Sequence, residues 1–79
     1  MITLEEAKRI AEDARGRGVN YCEEYKDAYL LYGKDDPMSR GGTIQPIAVM
    51  KEDGTKYGYT GYIRLHDYEP GEPETEYAV

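Results

Sequence analysis

The sequence predicts an α+β fold, in which one N-terminal helix packs on an antiparallel sheet of three to four strands. Two patterns support this prediction. Apolar residues recur at helical spacing near the N-terminus, and Asp53-Gly54 separates two β-rich segments as a hairpin turn would. A chain of 79 residues is long enough for one domain. We expect that domain to span residues 1–65.

A capping box marks the start of the predicted helix. In residues 3–6 the hydroxyl of Thr3 can accept a hydrogen bond from the amide of Glu6. Gly16 and Gly18 offer C-terminal stops. The apolar residues between these signals share one face of a helix, and they are Leu4, Ala7, Ile10, Ala11 and Ala14.

Two strands are predicted before the hairpin. Residues 19–25 alternate apolar and polar side chains, interrupted by Glu23, and this pattern predicts an edge strand. Lys26-Asp27 suits a turn, and the continuous apolar run 28–32 predicts a more central strand. Residues 34–42 combine turn formers with charge, so we expect an exposed loop there.

The hairpin itself is predicted over residues 43–65. Regular pairing in its first strand is expected for residues 47–51. The return strand is expected to alternate its two faces through residues 57–64, with Gly58 and Gly61 as bulges or points of close approach.

Residues 66–79 differ from the rest of the chain in charge. They hold 5 acids and no Lys or Arg, whereas residues 1–65 hold 11 acids and 10 bases. Such a composition offers too little apolar surface to offset the entropy lost on ordering. The sequence therefore predicts an acidic, flexible C-terminal tail.

Charge, cysteine usage and hydropathy narrow the class of protein. The net charge of -6 disfavours direct binding of nucleic acid, and we expect the tyrosines of residues 57–62 to pack in the sheet rather than stack on bases. The chain has no apolar run long enough to cross a bilayer, and residues 1–6 carry acids where a secretory signal has bases. The single Cys22 allows no intramolecular disulfide. We expect a cytoplasmic protein, in a bacterium or its host, that does not bind membranes.

Candidate catalytic groups are few. The chain has one Cys, one His and one Ser in different segments, and a pair of Cys22 and His66 is the arrangement left open. We expect Cys22 to be a packing residue. No cofactor or metal site is predicted, since Asp35-Asp36 and Asp53 lack the spacing of a calcium loop. The glycines of residues 39–42 precede a predicted strand rather than the helix of a phosphate-binding loop.

The acidic C-terminal segment holds the candidate partner-binding residues. Its carboxylates alternate along the chain with two tyrosines as candidate anchors, and the full set is Asp67, Tyr68, Glu69, Glu72, Glu74, Glu76 and Tyr77. As a binding element, the segment would dock on the basic surface of a protein partner, with carboxylates in place of phosphates. A solvated segment that only aids solubility is the alternative.

The order of the sequence signals also carries a resemblance. A predicted helix is followed by Asp-Ala-Tyr-Leu-Leu-Tyr at residues 27–32, and Gly41-Gly42 leads into Pro-Ile-Ala-Val-Met-Lys-Glu-Asp-Gly at residues 46–54. Residues 3 to about 60 thereby resemble small bacterial proteins of the immunity protein 35 type. The resemblance implies a helix on an antiparallel sheet and a role in neutralising a toxin by binding it, with no catalytic residue.

Together these observations favour a non-catalytic inhibitory protein that binds and blocks another protein. It would act as an immunity factor, or as a phage inhibitor of a nucleic-acid-binding defence enzyme. Two alternatives stay open: a small enzyme that uses Cys22 or His66, and an accessory domain without a partner of its own.

Overall fold

The computed structural model describes residues 1–34, 46–69 and 71–79. The helices and strands of these residues are, in chain order, α1 Leu4–Arg15, β1 Tyr21–Glu24, β2 Ala28–Tyr32, β3 Ile47–Met50, β4 Lys56–Gly58, α2 Tyr59–Leu65 and β5 Thr75–Ala78. Neither helix is long and apolar enough to cross a membrane. The acidic pair Asp35-Asp36 and the glycines of residues 39–42 lie outside the described residues, as does most of the predicted loop.

The strands form one antiparallel sheet in the order β4-β3-β2-β1-β5. Helix α1 packs on one face of this sheet and α2 packs on the other. The predicted α+β class is confirmed. The sheet of the described residues has five strands, which is one more than the largest number predicted.

The ends of α1 are set by local hydrogen bonds. The Glu6 amide donates to the hydroxyl of Thr3 at 3.2 Å, and that hydroxyl lies 3.3 Å from the Glu6 carboxylate. At the other end Gly16 has a φ of 72°, and its amide donates to the Glu12 carbonyl at 2.8 Å. A left-handed residue after the last turn suits glycine, which has no Cβ to clash. Both predicted helix signals are confirmed.

The sheet divides the buried residues into two clusters. The cluster under α1 contains two alanines of the predicted helix stripe, whereas the third, Ala14, is exposed. Its buried members are Ala7, Ala11, Val19, Cys22, Leu31 and Val49. The cluster under α2 contains two tyrosines, and its buried members are Tyr25, Ala28, Leu30, Ala48 and Tyr62. Because successive strand residues point to opposite faces, the continuous apolar run of β2 supplies both clusters.

The predicted hairpin is formed by β3 and β4. The Met50 amide donates to the Thr55 carbonyl at 2.8 Å, and the Gly54 amide donates to the Met50 carbonyl at 2.9 Å. Gly54 has a φ of 78°, as a tight reversal requires. The Asp53 carboxylate accepts from the hydroxyl and the amide of Thr55 at 2.7 and 2.9 Å, and these bonds lower the pKa of Asp53.

The predicted return strand is wrong beyond Gly58, because the chain enters α2 there. Gly58 is the N-cap of α2 and Gly61 lies inside it, so neither glycine is a strand bulge. The helix places Tyr62 over the sheet, where its side chain is only 1% exposed. Burial of a large ring against residues distant in sequence outweighs the strand preference of the local tyrosines and glycines.

The predictions of an edge position for β1 and of a flexible C-terminal tail are wrong for the paired residues. β5 pairs with β1, so β1 lies inside the sheet with Cys22 opposite Tyr77. Tyr77 and Val79 pack against the cluster under α1. Inter-strand hydrogen bonds and the burial of these two side chains together offset the entropy cost that the acidic composition alone would not.

Candidate protein-binding site

The structure divides the predicted partner-binding residues between two places. Asp67, Tyr68 and Glu69 form the turn that follows α2. Glu76 and Tyr77 lie on β5, and the exposed Glu72 and Glu74 precede that strand. The residues are thus held by two elements rather than by one extended segment.

The turn after α2 has a helix-terminating hydrogen-bond pattern. The Tyr68 amide donates to the Ile63 carbonyl at 2.8 Å, and the Asp67 amide donates to the Arg64 carbonyl at 3.1 Å. These are the two bonds of a Schellman motif. Asp67 and Tyr68 have φ values of 55° and 64°, which are left-handed conformations that cost energy for residues other than glycine. The turn leaves the Tyr68 side chain 68% exposed.

A carboxylate–tyrosine surface, formed by Tyr21, Glu23, Tyr32 and Glu76, lies on the face of the sheet that carries α2. Glu23 and Glu76 are directly opposite each other on β1 and β5. The Tyr21 hydroxyl donates to Glu76 and the Tyr32 hydroxyl donates to Glu23, both at 2.7 Å. The two rings are 5.6 Å apart between centroids. Two carboxylates are therefore held at fixed positions by neutral donors.

This surface places two like charges next to each other, on Glu23 and Glu76. Like charges directly opposite on neighbouring strands repel each other. Among the described residues, ion pairs join Glu24 to Lys51 and Asp27 to His66. The hydrogen bond to Glu76 raises the pKa of Tyr21, so its hydroxyl stays a donor at neutral pH.

Tyr32 and Lys34 complete the environment of these carboxylates. Burial, together with the hydrogen bond to Glu23, raises the pKa of Tyr32. The Lys34 ammonium lies 4.2 Å from the centroid of the Tyr21 ring, which is within the range of a cation–π contact. This contact shows that the tyrosine face of the surface accepts a cation.

Tyr77 faces the opposite side of the sheet and acts within the fold. Its hydroxyl donates to one oxygen of Glu24 at 2.6 Å, while the Lys51 ammonium lies 2.8 Å from the other oxygen. Burial and the bond to Glu24 raise the pKa of Tyr77. The bonds from Lys51 and Tyr77 lower the pKa of Glu24. Tyr77 therefore anchors β5 to the sheet, where the sequence suggested an anchor for a partner.

The structure separates the two residues of the Cys–His alternative. Cys22 points into the cluster under α1 and is 0% exposed. Burial raises the pKa of its thiol to about 11. His66 caps α2 on the other face of the sheet, where its Nε2 lies 2.9 Å from the Asp27 carboxylate. A nucleophile and base must lie within hydrogen-bonding reach, and the sheet stands between these two.

A cluster of Asp27, Tyr62 and His66 was missed by the sequence analysis. The Tyr62 hydroxyl donates to Asp27 at 2.7 Å, and the Tyr62 and His66 rings are 4.7 Å apart between centroids. The Tyr25 and Tyr62 rings are 5.5 Å apart between centroids and are tilted by 57° to each other. Burial and the bond to Asp27 raise the pKa of Tyr62. These contacts fix α2 to the β1–β2 turn, and only the predicted turn at Asp27 gave a sequence signal for them.

Ligand sites of other kinds find little support in the described part of the chain. No group of three or more His, Cys, Asp or Glu side chains there could hold a metal ion. An open cavity of about 340 Å³ is lined by Met1, Lys26, Asp27, Met50, Lys51 and Glu52. Its mixed charges select no class of ligand.

Comparisons with known proteins identify no relative. No family model, curated protein or solved structure matches the chain. The resemblance to immunity protein 35 therefore stays a prediction, and the fold and the carboxylate–tyrosine surface are the observations from which function must be argued.

Proposed function

We propose that this chain is a non-catalytic protein that binds a basic surface of another protein and thereby blocks it. The partner would be a toxin, if the chain is an immunity factor, or a nucleic-acid-binding defence enzyme, if the chain is a phage inhibitor. The observation that supports this proposal is the carboxylate–tyrosine surface, where Glu23 and Glu76 lie side by side. The cytoplasm is the compartment that suits such partners and a single free thiol.

The ordered backbone favours binding by these carboxylates. A disordered acidic segment loses conformational entropy when a partner fixes it. Glu76 lies on a paired strand and accepts a hydrogen bond from Tyr21, so less of that cost remains to be met on binding. Lys or Arg groups of a partner would also relieve the repulsion between Glu23 and Glu76.

The charge of the chain favours a protein partner over a nucleic acid. A net charge of -6 repels phosphate backbones and attracts basic grooves over distances of about a Debye length, roughly 8–10 Å at moderate salt. Carboxylates presented to the basic groove of an enzyme would compete with its nucleic-acid substrate. Inhibition then requires no chemistry from the inhibitor.

The proposal is tested by capture followed by an inhibition assay. Purified chain is immobilised, incubated at low salt with lysate of the producing cells or their host, and the retained protein is identified and purified. We expect the chain to inhibit that protein's enzymatic or toxic activity stoichiometrically. Retention should fall as salt is raised, since exposed charges are screened.

Two double variants separate specific binding from general acidity. Glu23→Gln with Glu76→Gln removes the paired carboxylates, and Glu5→Gln with Glu52→Gln removes the same charge from exposed positions elsewhere. We expect about tenfold weaker inhibition for the first variant and little change for the second. Equal inhibition by both variants, or capture without any loss of partner activity, would contradict the proposal.

A further inference from the structure

The outer edge of β5 carries backbone groups that point away from the sheet. The Val79 amide donates to the Asn20 carbonyl on the β1 side at 3.1 Å. Because backbone groups alternate in direction along an antiparallel strand, Tyr77 and Thr75 also face β1, whereas Glu76 and Ala78 face outward. Within the described residues β5 is the last strand on this side of the sheet.

The exposure and the residue composition of β5 also allow another strand to pair with this edge. Thr75, Glu76 and Ala78 are exposed. The strand contains no proline or lysine, which are residues that commonly block edges. The opposite edge is less suited, because β4 is three residues long and continues directly into α2. A strand added to the sheet would therefore pair with β5 rather than with β4.

The side chains of the edge select the charge of the added strand. A residue paired with Glu76 would lie on the α2 face of the sheet, next to a carboxylate that already opposes Glu23. Opposite charges in such a cross-strand position attract and like charges repel. Antiparallel pairing of β5 with a second copy would bring Glu76 close to acidic residues of that copy, so self-association is disfavoured.

We propose that an extended segment of a protein partner adds to the outer edge of β5 as a further strand, with a Lys or Arg side chain opposite Glu76. This inference rests on the proposed function and names its docking element. Main-chain hydrogen bonds to Glu76 and Ala78 supply the register, and the basic side chain supplies specificity.

Peptide titration followed by nuclear magnetic resonance tests the inference. The probe is the synthetic peptide Ser-Val-Arg-Val-Arg-Val-Ser, and its control replaces both Arg by Glu. We expect the Arg peptide to shift the amide signals of Glu76 and Ala78 and to slow their hydrogen exchange, while the Glu peptide does neither. No shift, or shifts confined to α2 and the turn at Tyr68, would overturn the inference.

Two variants test backbone and charge separately. Ala78→Pro removes one outward amide without touching the bonds to β1, and Ala78→Gly keeps that amide. We expect about tenfold weaker binding of the Arg peptide to Ala78→Pro only, because one inter-strand bond is lost. Glu76→Lys leaves the amide in place and should reverse the preference in favour of the Glu peptide. If Glu76→Lys still prefers the Arg peptide, the charge of residue 76 does not determine which strand is bound.

The outcomes for this inference and for the proposed function are distinguishable. If a captured partner is inhibited equally by the original chain and by Ala78→Pro, the edge of β5 is not the docking element and the proposed function stands. If the Arg peptide pairs with β5 but no lysate protein is inhibited, the proposed function falls.

Discussion

Truncation of Tyr77 tests whether the acidic C-terminus belongs to the folded domain. Its ring packs against the cluster under α1, and its hydroxyl donates to Glu24 at 2.6 Å. Tyr77→Phe removes one hydrogen bond to a charged acceptor that keeps Lys51 as a partner, so we expect a loss of about 1–2 kcal/mol. Tyr77→Ala also removes a half-buried ring and should cost about 2–4 kcal/mol.

Urea denaturation monitored by circular dichroism measures these losses. A domain of this length has a free energy of unfolding of about 4–12 kcal/mol, so Tyr77→Ala removes a large fraction of it. Each kcal/mol corresponds to about 4–8 °C in Tm for a domain of this size. Tyr68→Phe and Tyr68→Ala are the matched controls, because Tyr68 is 68% exposed, and we expect changes within about 0.5 kcal/mol.

The result that refutes this reasoning is specific. If the Tyr77 variants unfold at the same urea concentration as the Tyr68 variants, β5 contributes nothing to stability. The C-terminus would then behave as the flexible tail that its composition predicts, and docking on β5 would lose its basis.

Three further predictions follow from the same contacts. Lys51→Met should lower the free energy of unfolding by about 1–2 kcal/mol at neutral pH. The pKa of Glu24 is lowered in the fold, so the stabilisation by its ionised carboxylate is complete above the ordinary pKa of about 4.3 and is lost as the pH falls through the folded pKa. In urea titrations, the difference in unfolding free energy between the variant and the original chain should therefore disappear in acid. Tyr68→Gly should raise the free energy of unfolding by up to about 1 kcal/mol, and with it the midpoint of thermal unfolding, because the φ of 64° at Tyr68 is costly for a residue other than glycine. A lower midpoint would show that the Tyr68 side chain has stabilising contacts. Iodoacetamide at mildly basic pH should label Cys22 at least about 100-fold more slowly in buffer than in urea, because the buried thiol has a pKa of about 11. Labelling is followed by mass spectrometry, and rapid labelling in buffer would support the alternative that the chain is an enzyme that uses Cys22.

The parts of the fold that the sequence predicted are those encoded by short-range interactions. The cap at Thr3 and the C-terminal stop at Gly16 act within one turn of helix. The β3–β4 reversal depends on Gly54 and on the bonds that Asp53 accepts from Thr55. Such signals need no knowledge of the rest of the chain.

The parts that sequence analysis missed depend on contacts between distant residues. Helix α2 contains a glycine and four residues of high strand preference, and it is stabilised where Tyr62 meets Tyr25 and Asp27. Strand β5 is acidic and becomes ordered by pairing with β1, which lies more than 50 residues earlier. Neither the packing of α2 nor the pairing of β5 produces a pattern in the local sequence.

Of the two carboxylates in the candidate site, the sequence analysis predicted one. Glu76 was named from the alternating carboxylates of the C-terminal segment, whereas its cross-strand neighbour Glu23 was noted only as a charge in an apolar position. That misplaced charge was the available signal. A carboxylate among the apolar side chains of one strand face needs a hydrogen-bond donor, and the Tyr32 hydroxyl donates to Glu23 at 2.7 Å. Which partner Glu23 would meet depends on a β-pairing register that the sequence alone does not specify.

Salt should act on the fold and on the complex in opposite directions. The repulsion between Glu23 and Glu76, and the net charge of -6, are present in the free protein, so screening between about 0.05 and 0.5 M salt should raise its stability. The same screening weakens attraction to a basic partner. Opposite slopes measured on one sample would indicate that a basic partner neutralises acidic groups that repel one another in the free chain. An affinity that salt leaves unchanged would contradict electrostatic docking.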